Sequence, residues 1–172
     1  ERLQNLVERL LHLAQVEQRQ GLEERVAVPL QPMIDELVHA QLPRIEQRRV
    51  RVDNRVDAAQ TLLGERFLLR QALSNLLDNA LDFTPPSGLI RFSCEADDQS
   101  VQLRLFNQGP AIPEYALARL TERFYSLARP ATGRKSTGLG LNFVQEVAQL
   151  HGASLDIANV EGGVEVCLRF PR

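Results

Sequence analysis

Leucines at positions 3, 6, 10 and 13 follow a three-four-three spacing, and Val7, Leu11 and Ala14 widen the stripe. This is one face of a helix packed in a bundle. Polar residues 17–20 and then Gly21 mark its end. A lone helix of this length is marginal in water, so the stripe is expected to self-associate. Residues 26–30 read as a short strand, and Pro32 suits the first turn of a following helix. Ile34, Leu37, Val38, Leu42 and Ile45 continue a helical stripe that Pro43 is expected to kink. Val50, Val52 and Val56 suggest a second strand, interrupted at Asn54. The strongest helix runs from Glu65 to about Phe83, with Leu69, Leu73, Leu76, Leu77 and Ala80 on its apolar side.

The loop chemistry of Thr84-Pro85-Pro86-Ser87-Gly88 separates that helix from two strands, 89–95 and 101–106. From 109 to 137 periodicity is poor, and Pro110, Pro113, Pro130 and Gly133 break the chain up. Such a long irregular stretch inside a compact domain is usually functional. Gly138 is expected to open a helix that runs to about His151, with Gly152 as its cap. Residues 153–157 and 164–170 alternate as a hairpin around Glu161-Gly162-Gly163. The order β-α-β-α-β-β-loop-α-β-β predicts an α/β domain with a mixed sheet covered on one face. The stub takes residues 1–21 and the domain 22–172.

Composition narrows the function. With 44% hydrophobic residues the chain can build a core, and a formal net charge of -2 gives no nucleic-acid surface. Cys94 and Cys167 fit neither a zinc nor a CxxC pattern and read as small strand residues. No apolar run reaches the length of about 20 residues that spans a bilayer. The chain begins without methionine or a signal-like stretch, so it reads as a piece of something longer.

Three places carry chemistry. Gln71, Asn75, Asn79 and Asp82 recur at steps of four, four and three on the strongest helix, forming one stripe. Asparagine is an indifferent interior helix residue. Its amide oxygen is a hard neutral ligand suited to Mg²⁺, although a solvated polar face would give the same pattern. Ser136-Thr137-Gly138-Leu139-Gly140-Leu141 puts glycines at a loop-to-helix junction, where free N–H groups can hold phosphate and Arg134 and Lys135 can add charge. The Walker pattern and the third dinucleotide-binding glycine are both missing; Phe143 stands at the latter. Asn107-Gln108-Gly109-Pro110-Ala111-Ile112-Pro113 would pass for an ordinary turn on its own.

Taken in order, these segments resemble the ATP-binding catalytic domain of sensor histidine kinases, in the superfamily of gyrase, Hsp90 and MutL. Gly64-Glu65 through Asn75-Leu76-Leu77-Asp78-Asn79-Ala80 to Phe83-Thr84-Pro85 is similar to the N box. Residues 107–113 resemble the G1 box, Glu122-Arg123-Phe124-Tyr125 the F box and 137–141 the G2 box. The stub resembles the second helix of the family's dimerisation domain. The resemblance implies a Bergerat-type two-layer α/β sandwich with about three helices on its sheet. It implies ATP and Mg²⁺ as ligands, with Asn79 on the metal and Asn75 supporting it. Phe83, Asn107, Gly109 and Ile112 would surround the adenine. Thr137, Gly138, Leu139 and Gly140 would meet the phosphates, and residues 121–137 would form a lid anchored by Phe124 and Tyr125. Implied partners are the phosphoacceptor helix of the same full-length protein, a response regulator and a second copy. The whole protein would be a bacterial inner-membrane sensor with this part cytoplasmic.

Two positions depart from the pattern. Asp82 stands where many members have lysine near the phosphates, leaving Arg134 or Lys135 to substitute. Asn107 stands where many have aspartate, and accepts a hydrogen bond more weakly than a carboxylate would. None of His12, His39 and His151 has the family's acceptor context, in which an acid and then Thr-Pro or Ser-Pro follow the histidine. His151 fits instead as a last-turn residue favoured by the helix dipole. Two other readings remain: a gyrase-like ATPase using Glu65 or Asp78 as base, and a nucleotide-binding module without transferase activity.

Overall fold

The computed structural model describes residues 2–128 and 139–172. Helix α1 (Arg2–Glu17) leads into β1 (Val26–Pro29), α2 (Leu30–Ala40) and α3 (Leu42–Arg48). Next come β2 (Arg51–Asn54), β3 (Thr61–Gly64), α4 (Arg66–Phe83), β4 (Leu89–Ala96) and β5 (Ser100–Gln108). A short α5 (Glu114–Leu117), α6 (Gly140–Leu150), β6 (Ser154–Val160) and β7 (Gly163–Pro171) complete the chain.

The main sheet has the order β2-β4-β5-β7-β6, with β2 parallel to β4 and every other pair antiparallel. This is the expected mixed sheet. Alternation along β5 sends Val101, Leu103 and Leu105 inward, where their β7 partners are Phe170, Leu168 and Val166. Leu69, Leu73, Leu76 and Leu77 of α4 and Phe143, Val144 and Val147 of α6 belong to the same core as these sheet residues. The other face is charged, with Arg104 bonded to Glu165 at 2.8 Å and Arg91 near Asp53. Three helices, α2, α4 and α6, therefore cover one face of a sheet whose other face is wet. Cys94 and Cys167 lie half-buried in β4 and β7.

Several local expectations change. Thr61-Leu62-Leu63-Gly64 is a strand, too short and too little alternating to read from sequence, and it pairs antiparallel with β1 as a separate two-stranded sheet. The helical stripe expected over 34–45 breaks at Gln41, and Pro43 sits near the start of a new helix, where its missing N–H costs nothing. The irregular stretch contains α5. Helix α1 is not left wholly bare: Leu13 and Val16 are buried and α1 packs on α6, while Leu3, Val7 and Leu11 stay exposed.

Helix α4 ends at Thr84, whose hydroxyl and N–H both bond the Ala80 carbonyl. Arg48 donates to the Leu81 and Thr84 carbonyls at 2.6 Å each, so a cation sits where the helix dipole is negative. With its C-terminal end tied down in this way, α4 is a rail for the residues along it.

Candidate functional site: a two-part cleft along one helix

One flank of α4 borders an apolar pocket of about 80 Å³ walled by Leu76, Asn79, Ala80, Phe83, Asn107 and Ile112. Leu120, Leu127, Ile157, Val164 and Val166 also line it. Asn107 reaches this pocket because it is the next inward position after Val101, Leu103 and Leu105, directly opposite Val164. It is 8% exposed. Its Nδ2 is 3.5 Å from the Gln108 carbonyl, a long bond that leaves Oδ1 as the acceptor.

The loop after β5 is fixed by close approach. A Cβ on Gly109 would lie 2.9 Å from the Phe83 carbonyl oxygen, so only glycine lets the loop cross the end of α4. The Gly109 N–H bonds the Gly162 carbonyl, and a Cβ on Gly163 would meet the Asn107 carbonyl at 2.1 Å. The β6–β7 turn therefore presses directly on the residue that faces the pocket.

Beside the pocket lies a polar cleft of about 340 Å³, between α1, the middle of α4 and the start of α6. Gln71, Ser74, Asn75, Asp78, Leu139 and Gly140 line one side, and Asn5, Glu8, Arg9 and His12 of α1 the other. Asn75 Nδ2 is 3.4 Å from the Gly140 carbonyl, joining α4 to the first residue of α6. Apart from its own helix and chain neighbours, no described atom lies within 4 Å of where a Gly140 Cβ would stand. With no side chain, that glycine adds no bulk of its own at a helix N-terminus, where N–H groups are unpaired by the helix itself.

The predicted amide stripe exists but faces different surroundings along its length. Gln71 and Asn75 line the polar cleft, and Asn79 the apolar pocket. Asp82 is ion-paired with Arg44, which also bonds Asp78 at 2.6 Å. The acid that replaces the usual lysine is thus engaged by a cation from α3. Phe83, Asn107 and Ile112 line the pocket, Gly109 shapes its loop, and Leu139 and Gly140 meet Asn75 at the cleft. Arg134, Lys135, Thr137 and Gly138 lie outside the described residues, as does the larger part of the expected lid. Where that segment begins, Arg119 stacks over the Tyr125 ring at 4.4 Å, Arg123 pairs with Glu17 of α1, and Phe124 is exposed.

Other residues were not foreseen. Ile157, Val164 and Val166 enter through the inward register of the β6–β7 hairpin, a signal the alternation contained. Arg44 and His12 come from elements whose packing no local pattern specifies. His151 does end α6 as expected, but not as a charged dipole partner. It is buried, its Nδ1 is 2.8 Å from the Val147 carbonyl, and desolvation pushes its pKa down. Glu65 is equally committed: Arg19 bonds both its oxygens, at 2.9 and 2.5 Å, and the Glu23 N–H adds a third bond. The Arg19 guanidinium holds its carboxyl below the usual range, against the upward push of burial.

Residues 64–172 match the family described as histidine kinase-, DNA gyrase B- and HSP90-like ATPase. Sensor protein CreC of Escherichia coli (strain K12) is 44% identical over 172 residues, which is 99% of this chain and 36% of CreC. Sensor protein QseC of the same strain is 30% identical over 164 residues, 95% of this chain and 35% of QseC. The chain thus spans about a third of the length of these relatives. Among solved structures, the catalytic domain of the histidine kinase ThkA superimposes with a TM-score of 0.77 at 25% identity, covering 86% of this chain and 97% of that domain. Full-length ShkA gives 0.82 at 25% identity, over 98% of this chain and 35% of ShkA. An apolar pocket beside a polar cleft on one asparagine-bearing helix, in this fold and with these relatives, makes the chain a member of the histidine kinase-, gyrase- and HSP90-like ATPase family, as the ATP-binding catalytic domain of a sensor histidine kinase.

Proposed function

We propose that the chain holds ATP with its adenine in the pocket of Phe83, Asn107 and Ile112 and its phosphates toward Gly140. The γ-phosphoryl group then passes to a histidine on an upstream helix of the same full-length protein. The observation that carries this reading is the junction itself: a pocket walled by apolar side chains opens beside a polar cleft within one turn of α4, from Asn79 to Asn75. A flat aromatic base and a charged triphosphate need those two environments side by side. The ShkA structure holds AMPPNP, an ATP analogue, which supports the same occupant here.

Asn107 Oδ1 would accept from the adenine amino group, Phe83 and Ile112 would exclude water from the base, and the α6 N-terminus would hold phosphate oxygens. Among the described residues no group of three His, Cys, Asp or Glu side chains could hold a metal. A metal ion would therefore rely on the Asn79 amide oxygen and the phosphates, a donor set that fits Mg²⁺, which keeps several waters. Such an ion would neutralise charge on the phosphates during transfer. Asn75 would orient the cleft through its bond to Gly140. Glu65 and Asp78, the carboxylates a hydrolytic reading would need, are occupied by Arg19 and Arg44.

By resemblance, the full-length protein would be a homodimeric inner-membrane sensor that passes its phosphoryl group to a response regulator. The chain should bind ATP yet not label itself from γ-labelled ATP, because no histidine here has an acceptor context. A separate fragment carrying the acceptor helix should restore an acid-labile, alkali-stable label in trans, slowly, since tethering is lost. A label on His12, which lines the cleft, would overturn the assignment of the acceptor. An unlabelled fragment beside bound ATP would favour a binding module.

A further inference from the structure

Ile112 forms one wall of the apolar pocket, yet it sits between Pro110 and Pro113 in a loop with little backbone support. Proline offers no N–H, so this loop has few ways to make a ladder of its own. Among the described residues no backbone group bonds to Ile112. Its partner is a side chain. The Ile112 N–H donates to Asn159 Oδ1 at 2.8 Å, and Asn159 Nδ2 donates to the Ile112 carbonyl at 2.9 Å. One amide thus satisfies both polar groups of one residue, as a neighbouring strand would.

Asn159 lies near the end of β6, the edge strand of the main sheet, opposite Val164. Two residues earlier on the same face is Ile157, and both Ile157 and Val164 line the pocket. The clamp therefore ties the loop after β5 to the sheet at the point where its side chain meets the pocket. Without it, the nearest backbone bonds among the described residues that hold the loop are the remote Gly109–Gly162 bond and the turn at Pro113.

We infer that Asn159 is a positioning residue for nucleotide binding: its paired bonds hold Ile112 in place as a preformed wall against the base. This rests on the reading of the pocket as the adenine site. A wall ordered before binding spares the ligand the entropy of ordering it. Asn159 itself is exposed, so the side chain contributes little to the core.

The test uses the purified chain with Mg-ADP as probe. In Asn159→Ala, the Ile112 amide should lose protection from hydrogen exchange, and the dissociation constant for Mg-ADP should rise about five- to tenfold. The unfolding midpoint of the ligand-free chain should stay essentially unchanged. Asn159→Asp keeps the acceptor and loses the donor, and should fall between wild type and Ala. Unchanged ADP affinity in Asn159→Ala overturns the proposal alone. A loss of affinity matched by a fall in the unfolding midpoint also overturns it, since the residue would then be merely structural. A wild-type chain that fails to bind Mg-ADP overturns the nucleotide reading and this inference with it.

Discussion

His151 Nε2 accepts a hydrogen bond from the backbone N–H of Glu65 at 3.1 Å, across 86 residues of chain. The other ring nitrogen, Nδ1, donates to the Val147 carbonyl, so the imidazole is held as one neutral tautomer between the end of α6 and the start of α4. Gly64 allows the approach: a Cβ there would lie 2.6 Å from the ring.

Acid should weaken the fold through this ring. Burial lowers the His151 pKa below its ordinary 6.5, so in the window beneath 6.5 the unfolded chain binds more protons than the folded one. The stabilising contribution is whole above about 6.5 and is lost as pH falls from there through the lower folded value. Urea midpoints of wild type and His151→Ala, measured against pH, should show a component between those limits that the variant lacks. Identical pH profiles would show that the ring does not titrate with unfolding.

The Arg19–Glu65 pair should contribute to stability and not to nucleotide affinity. Its side chains are 18% and 9% exposed, which spares it most solvent screening. Arg19→Ala leaves a carboxylate held by backbone N–H groups alone, and should cost about 1–3 kcal/mol in chemical denaturation. Mg-ADP affinity of the folded variant should be unchanged. A weakened affinity would mean that the Arg19–Glu65 pair also sets the position of α1 along the cleft.

Asn79→Ala should abolish Mg²⁺-dependent nucleotide binding while circular dichroism shows an intact fold. Asn79 borders the pocket between Leu76 and Ala80, the turn of α4 that adjoins the cleft. Calorimetry with and without Mg²⁺ reads the outcome. Undiminished binding by a folded variant would place the metal elsewhere.

Asn107→Asp should tighten ATP binding by about three- to tenfold, because a charged acceptor makes a stronger bond than a neutral one. It should also sharpen discrimination against GTP, since a carboxylate cannot donate to the guanine carbonyl whereas an amide can turn and do so. Competition between ATP and GTP on both forms decides this. Equal affinities and equal selectivity would mean that Asn107 does not touch the base.

Much of this site was legible because its parts are local in sequence. The asparagine stripe is a periodicity, Gly140 sits at a visible loop-to-helix junction, and Asn107 stood out only through the order of the three segments, since the strand expected to end at 106 in fact runs on to Gln108. What escaped was nonlocal. No spacing announces that Arg44 pairs with Asp82, that His12 faces Gly140 across a cleft, or that Asn159 bonds Ile112 from 47 residues away. The fold followed the same divide: the main sheet came from alternation, while β3 shows as a strand only through its pairing with β1. His151 was placed correctly but for the wrong reason, because exposure, which decides whether a histidine is charged, is not written in the residues beside it.

Asn75 and Asn79 are one helical turn apart, about 6 Å along the axis, yet one lines the polar cleft and the other the apolar pocket. Two kinds of selection can therefore act on this domain almost independently. Substitutions in Ile157, Val164 or Ile112 would retune which heterocycle fits, leaving Asn75 and the α6 start at the cleft untouched. Asp82, farther along the same stripe and paired with Arg44, lines neither the pocket nor the cleft. Divergent members could thus keep one phosphate chemistry while their base pockets part company.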